Sequence, residues 1–332
     1  MFRNFVETLR HQKNPLTKVF ACAVAVGFVV LPILIIGFLD YQRMDAGYES
    51  LAFSRRETVA HLTAELVKEK IDHLINLGVS LATRVQFRKF IHEGKWNDAF
   101  KIIANTPKDF PALERVSLIS PAGVLMASSP DISDLIGRNF SERDWYGGVS
   151  QQWKPYISEV FRGATNQNSV VISVPILSDD DKVLGILNLQ ILTETVLKWI
   201  EGITIGAEGF VYLVDQKGHL VAHPKFSPKG DVVDFSSVPL VQKVLNGEGG
   251  IEVQYNEIER EERLAAYEPI SGYGWGVVVT EPVKTAFIYQ EEHARFLLKI
   301  YSILFIINLL LGLFTFSVFF ALNKELKEKK HE

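Results

Sequence analysis

Residues 120–130 read SPAGVLMASSP, and residues 215–225 read DQKGHLVAHPK. Each stretch is a tight turn around a glycine followed by a strand-like run. Before the first turn, Val116 and Leu118 alternate with polar residues, and after it Val124 and Met126 do the same. That is a strand, turn, strand signal. Phe210–Val214, the turn Asp215-Gln216-Lys217-Gly218 and Leu220–Ala222 repeat it. Gly123 and Gly218 are 95 residues apart, and Pro175-Ile176 and Pro269-Ile270 are 94 apart. Landmarks recurring at nearly one offset point to duplicated modules.

Working outward, Ser169–Leu177 and Val183–Leu192 read as long strands joined by the polar tip Ser178-Asp179-Asp180-Asp181-Lys182. In the second copy Ile251–Tyr255, Arg263–Ile270 and Trp275–Thr280 correspond to later strands. The segment Leu192–Gly202 is expected to be a linking helix. Upstream, Val59, Leu62, Leu66, Val67, Ile71, Leu74, Leu77 and Leu81 recur at three- and four-residue steps between charged residues. This predicts one long amphipathic helix from about Ser50 to Lys95, with a second from Trp96 to Ala104.

Two apolar runs bracket this segment. Residues 19–39 and 300–322 carry no Asp, Glu, Lys or Arg, and each is long enough to cross a ~30 Å hydrocarbon core as a helix. The first run exceeds the ~7–15 apolar residues of a signal peptide, and no small-residue cleavage site follows it. Arg3, Arg10, Lys13 and Lys18 precede the first run, and Lys324, Lys327, Lys329 and Lys330 follow the second. Positive flanks favour the cytoplasm. The expected order is therefore a cytoplasmic tail (1–18), a span (19–39), a stalk helix with a helical cap (40–110), a distal module (111–192), a proximal module (193–295), a span (300–322) and a cytoplasmic tail (323–332). The fold class is α+β, with the two modules outside the cytoplasm.

Composition excludes several functions. The chain has 35 Lys and Arg against 39 Asp and Glu, a net charge of −4, which gives no footprint for nucleic acid. The single cysteine, Cys22, lies in the first run, so the outer segment has no disulfide and depends on its core. No Gly-x-Ser-x-Gly, phosphate loop or His/Cys cluster is present, so no catalytic site, metal site or cofactor is expected. His223 has no second ligand at metal spacing. Asp179-Asp180-Asp181 lacks the pattern of a calcium loop. The charged run YNEIEREER, 255–263, reads as a solvated turn.

The ordered set GRNFSERDWY, PYIS, VISVPIL, LGILNL, GFVYLVDQKGHLVAHP and YEPISGYGWGVVVTEP, set between two spans, resembles the double Cache (dCache) sensor domain of bacterial transmembrane receptors. The resemblance covers about residues 40–300. It implies two PAS-like modules with antiparallel sheets stacked along the long helix, a small-molecule ligand in the distal module, and a proximal module that relays. Receptors of this family work as dimers and include chemoreceptors, histidine kinases and diguanylate cyclases.

Arg143-Asp144-Trp145-Tyr146 resembles the Arg-x-Trp-Tyr of amino-acid-binding Cache domains. A guanidinium fork suits a carboxylate, and an indole N–H beside it adds a donor. The resemblance carries ligand-carboxylate roles to Arg143 and Trp145, with Tyr146 and Tyr156 walling the pocket. Amino-acid-binding members also use two acids for the ligand ammonium. Those positions are Ser158 and Asn188 here, and neither carries charge. A buried ammonium without a carboxylate is costly. The expectation is a carboxylate-bearing ligand without an essential α-amine, such as a small organic acid, with an amino acid as the alternative. Asp144 or Asp131 could supply a charge from a shifted register. NKELKEKKHE, after the second run, has the charge pattern of a continuing signalling helix. The expectation is either the sensory part of a longer receptor or a sensor that signals through a separate kinase.

Overall fold

The computed structural model describes residues 15–206, 208–257 and 260–328. The basic residues at positions 3, 10, 13, 329 and 330 lie outside them. Two compact units result: Phe53–Ala286, and the segments up to Ala52 and from Phe287.

Helix α1 runs Pro15–Ala82. Within Phe53–Ala286 it buries Ala60, Ala64, Val67, Ile71, Leu74 and Leu81. The steps of three and four make one stripe, as expected of an amphipathic helix. The stripe is rotated from the predicted one, since Leu62 is 61% exposed. It uses small residues where the sheet comes close: a Cβ on Gly78 would lie 2.7 Å from Val174 Cγ2. The helix also stops earlier than predicted. Arg84 takes an extended backbone (φ −60°, ψ 125°), and α2 (Val85–His92) turns Phe87 and Ile91 into the core. Helices α3 (Trp96–Ile103) and α4 (Thr106–Asp109) follow.

The first sheet is antiparallel. Its strands are β1 (Arg115–Ile119), β2 (Leu125–Ser129), β3 (Tyr156–Ile157), β4 (Phe161–Arg162), β5 (Asn168–Leu177) and β6 (Val183–Leu192). The order is β2-β1-β6-β5-β3, with β4 also on β5. Helix α5 (Asp144–Gln152) lies between β2 and β3 in sequence, and α6 (Thr193–Ile200) leads to the second sheet. That sheet holds β7 (Phe210–Val214), β8 (Leu220–Ala222), β9 (Gly250–Asn256), β10 (Glu261–Ile270) and β11 (Trp275–Pro282), in the order β8-β7-β11-β10-β9. Helix α7 (Pro239–Leu245) is the counterpart of α5. The short α8 (Val283–Ala286) then precedes α9 (Ile288–Glu328).

The duplication is exact in register. Leu118 pairs with Ala127 in the first hairpin, and Leu213 with Ala222 in the second, 95 residues on. Gly123 and Gly218 both have positive φ, and a Cβ on either would strike Ser141 or Ser236, again 95 apart. Phe140 N–H donates to Gly123 O, as Phe235 N–H does to Gly218 O. In both sheets one face packs on α1 in a shared apolar core that includes Val116, Leu118, Leu189, Leu213, Val277 and Val279.

Among the described residues one stretch is long and apolar enough to cross a membrane, Ala294–Phe314, with mean hydropathy 2.2 and none of it buried. It begins six residues before the predicted second span. Of the predicted first span, Val30–Leu39 forms an apolar helical stretch. Most side chains of positions 19–29 lie outside the described ones. The charged run 255–263 is not wholly solvated: Arg263 is 1% exposed.

Candidate functional site

On the face of the first sheet turned away from α1, side chains alternate inward along each strand. Arg115, Ser117 and Ile119 of β1 share this face with Asn188 and Gln190 of β6 and Val171 of β5. The loop 132–143 and the start of α5 roof it. Between them lies a cavity of about 570 Å³, also lined by Leu135, Arg138, Phe140, Glu142, Trp145 and Phe161. This size is usual for small-molecule sites.

Arg143 is the N-cap residue of α5 and lines the cavity, its guanidinium carbon 5.8 Å from the Phe161 ring centre. Trp145 lines it from the first turn of the helix, 6% exposed and packed with Ile119, Leu125, Val149, Val171 and Ile186. Asn188 Oδ1 accepts a 2.8 Å hydrogen bond from Ser173 Oγ. That leaves the Asn188 amide N–H groups without a hydrogen-bond partner among the described residues. The Trp145 indole N–H is in the same condition. Arg115 is 5% exposed at the cavity floor. Its Nη1 donates to Ser128 Oγ at 3.1 Å and to Pro130 O, while its Nε has no partner. The side chains around the space are thus rich in unused donors, and Glu142 is the only acid among the lining residues.

The other sequence candidates sit elsewhere. Tyr146 donates from its hydroxyl to Pro121 O at 2.8 Å. Ser158 is fully buried, donating to Glu159 O and accepting from Val171 N–H. Tyr156 donates to the Asp144 carboxylate at 3.1 and 3.2 Å and accepts from Gln216 Nε2 at 2.9 Å. Burial first, and the Asp144 charge second, push its hydroxyl pKa up to about 12. Asp144 also accepts from Glu159 N–H, so it braces the loop rather than facing the cavity. Asp131 accepts from Ser133 Oγ and does not line it.

These contacts join the modules. Gln216, in the turn after β7, also accepts from Trp275 Nε1 at 3.1 Å. Asp215 accepts from Val160 N–H at 2.7 Å. The residue next to Arg143 is therefore two hydrogen bonds from the β7–β8 turn. A second tie is the buried ion pair of Arg56 on α1 with Glu281 on β11. Tyr273 donates to Asp72 on α1.

Sequence reasoning missed Arg115 and Arg138. The alternation Arg115-x-Ser117-x-Ile119 beside the repeat offset was the available signal. His223 is a buried core residue. It sits among Phe210, Tyr212, Phe226 and Phe235, with ring centres 4.7–6.0 Å away. Its Nδ1 accepts from Lys225 N–H, and burial pushes its pKa down to about 3. Among the described residues no group of three or more His, Cys, Asp or Glu side chains could hold a metal.

Comparison with known proteins agrees with this architecture. A probable methyl-accepting chemotaxis protein of Bacillus thuringiensis subsp. konkukian is 24% identical over 212 residues, 62% of this chain and 30% of that protein. The chain thus spans under a third of that relative's length. The ligand-binding domain of the Pseudomonas fluorescens chemoreceptor CtaA, solved with L-isoleucine, superposes with a TM-score of 0.57 at 16% identity, over 75% of this chain and 99% of that one. The ligand-binding domain of the Pseudomonas aeruginosa amino acid chemoreceptor PctB, solved with L-Gln, gives 0.55 at 16%, over 70% and 92%. At this identity the likeness is one of fold. Residues 48–288 match the Cache domain family dCache_1, so the chain belongs to the family of double Cache sensor domains.

Proposed function

We propose that this chain senses a small carboxylate-bearing molecule outside the cytoplasm and reports it across the membrane. The observation that carries this reading is the distal cavity, where Arg143, Trp145 and Asn188 converge with unused donors. Donors without acceptors favour an anion. The two structural neighbours were solved with amino acids. An amino acid would need an acceptor for its ammonium, and Glu142 at the rim is the residue that favours this second reading.

Ligand gripped by Arg143 and Trp145 pulls on the start of α5. Asp144, Tyr156 and Gln216 pass the shift to the proximal module, and Glu281 passes it to α1 through Arg56. The apolar runs at 19–39 and 300–322 act as two spans, with residues 40–295 outside. The distal module (111–192) binds, and the proximal module (193–295) relays. Signalling as a homodimer fits Leu62, exposed on the outer side of α1, where a second α1 would cover it. Ligand moves such an equilibrium only by its differential affinity for two states. The output belongs to a kinase or another domain downstream of α9.

A thermal-shift screen of the full chain in detergent, against organic acids and amino acids, tests this. Organic acids are expected to stabilise, and Arg143→Ala to remove the shift while leaving the unliganded melting point in place. Stabilisation by amino acids alone, or a shift unchanged in Arg143→Ala, contradicts it.

A further inference from the structure

We propose that the distal cavity takes a ligand with two negative groups, a short dicarboxylate, and that Arg115 is the second anion anchor beside Arg143. This rests on the reading of the cavity as the sensory site. Arg115 rises from the sheet floor on β1, and Arg143 descends from the start of α5, so the two guanidiniums come from different walls of one space.

Three observations point to Arg115. It is 5% exposed, its Nε is buried without a partner, and no carboxylate lies within ion-pair distance of it among the described residues. A buried guanidinium held only by a hydroxyl and a carbonyl is costly unless an anion joins it. The chain contains the satisfied alternative. Arg263 in the second sheet is 1% exposed, donates from Nε to Thr280 Oγ1 at 2.9 Å, pairs with Glu261 and stacks 4.7 Å from the Phe210 ring centre. The repeat supplies an internal control as well. The position equivalent to Arg115, 95 residues on, is Phe210, and those equivalent to Arg138 and Arg143 are Val233 and Val238. The architecture therefore needs no cation at any of the three.

A monocarboxylate held by Arg143, which is exposed, would leave the buried Arg115 without an anion. The ammonium of an amino acid would add a like charge near Arg115. A dicarboxylate satisfies both.

The test is calorimetry on the full chain in lipid nanodiscs, with succinate, glutarate, butyrate and L-alanine as probes. A charge-assisted pair corresponds to a factor of about 10–150 in affinity. At least one dicarboxylate is expected to bind ~10-fold or more tighter than butyrate. Arg115→Met should lower it to about the butyrate level, and Arg115→Lys should recover part of the difference. Equal binding of mono- and dicarboxylates by the unmodified chain overturns the role of Arg115 but leaves the sensory reading standing. Selectivity unchanged in Arg115→Met also overturns it. No binding of any carboxylate overturns both. The comparison of probes on the unmodified chain decides the matter even if Arg115→Met does not fold.

Discussion

The two modules share one strand plan and differ in what covers the sheet face turned away from α1. In the proximal module that face is plugged. Phe210, Tyr212, Phe235, Leu240 and Tyr267 are buried there with His223 among the rings. In the distal module the equivalent positions are Arg115, Ser117, Phe140, Trp145 and Ser173, and at His223 stands Ser128. Large rings have become a guanidinium, short hydroxyls and open volume. The same register thus yields a filled core in one copy and a polar cavity in the other. A fold that tolerates both shows that the cavity is a property of side chains rather than of topology.

The plug should carry more of the stability than its counterpart. Phe235→Ala removes a fully buried ring and is expected to cost ~3–5 kcal/mol. Phe140→Ala, at the matching but half-buried position beside the cavity, should cost under about half of that. Thermal melts of the full chain check this, and equal losses would break the comparison.

The plug should also be acid-sensitive. His223 is held neutral, its pKa lowered to about 3 from 6.5 by burial first, then by Lys225 and Arg263. Protons therefore bind the unfolded chain preferentially, and stability falls as pH drops below about 6.5 towards 3. The linkage corresponds to ~2 kcal/mol at pH 5. Urea unfolding at pH 7.5 and pH 5 should show this loss, and His223→Phe should flatten it. The distal module, with Ser128 there, offers no equivalent.

A smaller effect is expected where the modules meet. Tyr156→Phe deletes the hydroxyl between Asp144 and Gln216, each of which keeps another partner. The loss should be about 1 kcal/mol. Ligand affinity should hardly change, while the ligand-induced stabilisation of proximal amides should fall. The smallest change in stability is expected from copying the plug into the cavity. Ser117→Tyr places there the ring that Tyr212 provides in the second copy, and should shift stability by less than about 1 kcal/mol while abolishing binding. Retained binding would mean that ligand sits elsewhere.

Most of the strand plan was legible because both copies alternate strongly and share turn glycines. The break of α1 was not. Phe87 and Ile91 continue the helical spacing past Ala82, and neither Gly nor Pro marks the turn at Arg84. The helices α5 and α7 are too short for periodicity to find. Arg143, Trp145 and Asn188 were readable as a group, and all three line the cavity. Tyr146, Tyr156 and Ser158 come from the same motifs but bond to backbone or across the module junction, which local sequence does not encode. Arg263 was hidden in a charged run because its partners Thr280 and Phe210 are distant in sequence. Arg115 was hidden because one arginine at a strand start looks like any surface charge.

On this reading of the cavity, ligand enters the distal module while the plugged proximal module only responds. Hydrogen exchange of the full chain in nanodiscs, with and without saturating dicarboxylate, tests it most directly. The strongest protection is expected at 115–119, 138–145 and 186–190, with smaller changes at 210–223. Primary protection within 210–223, or none in the distal module under saturating ligand, would contradict it.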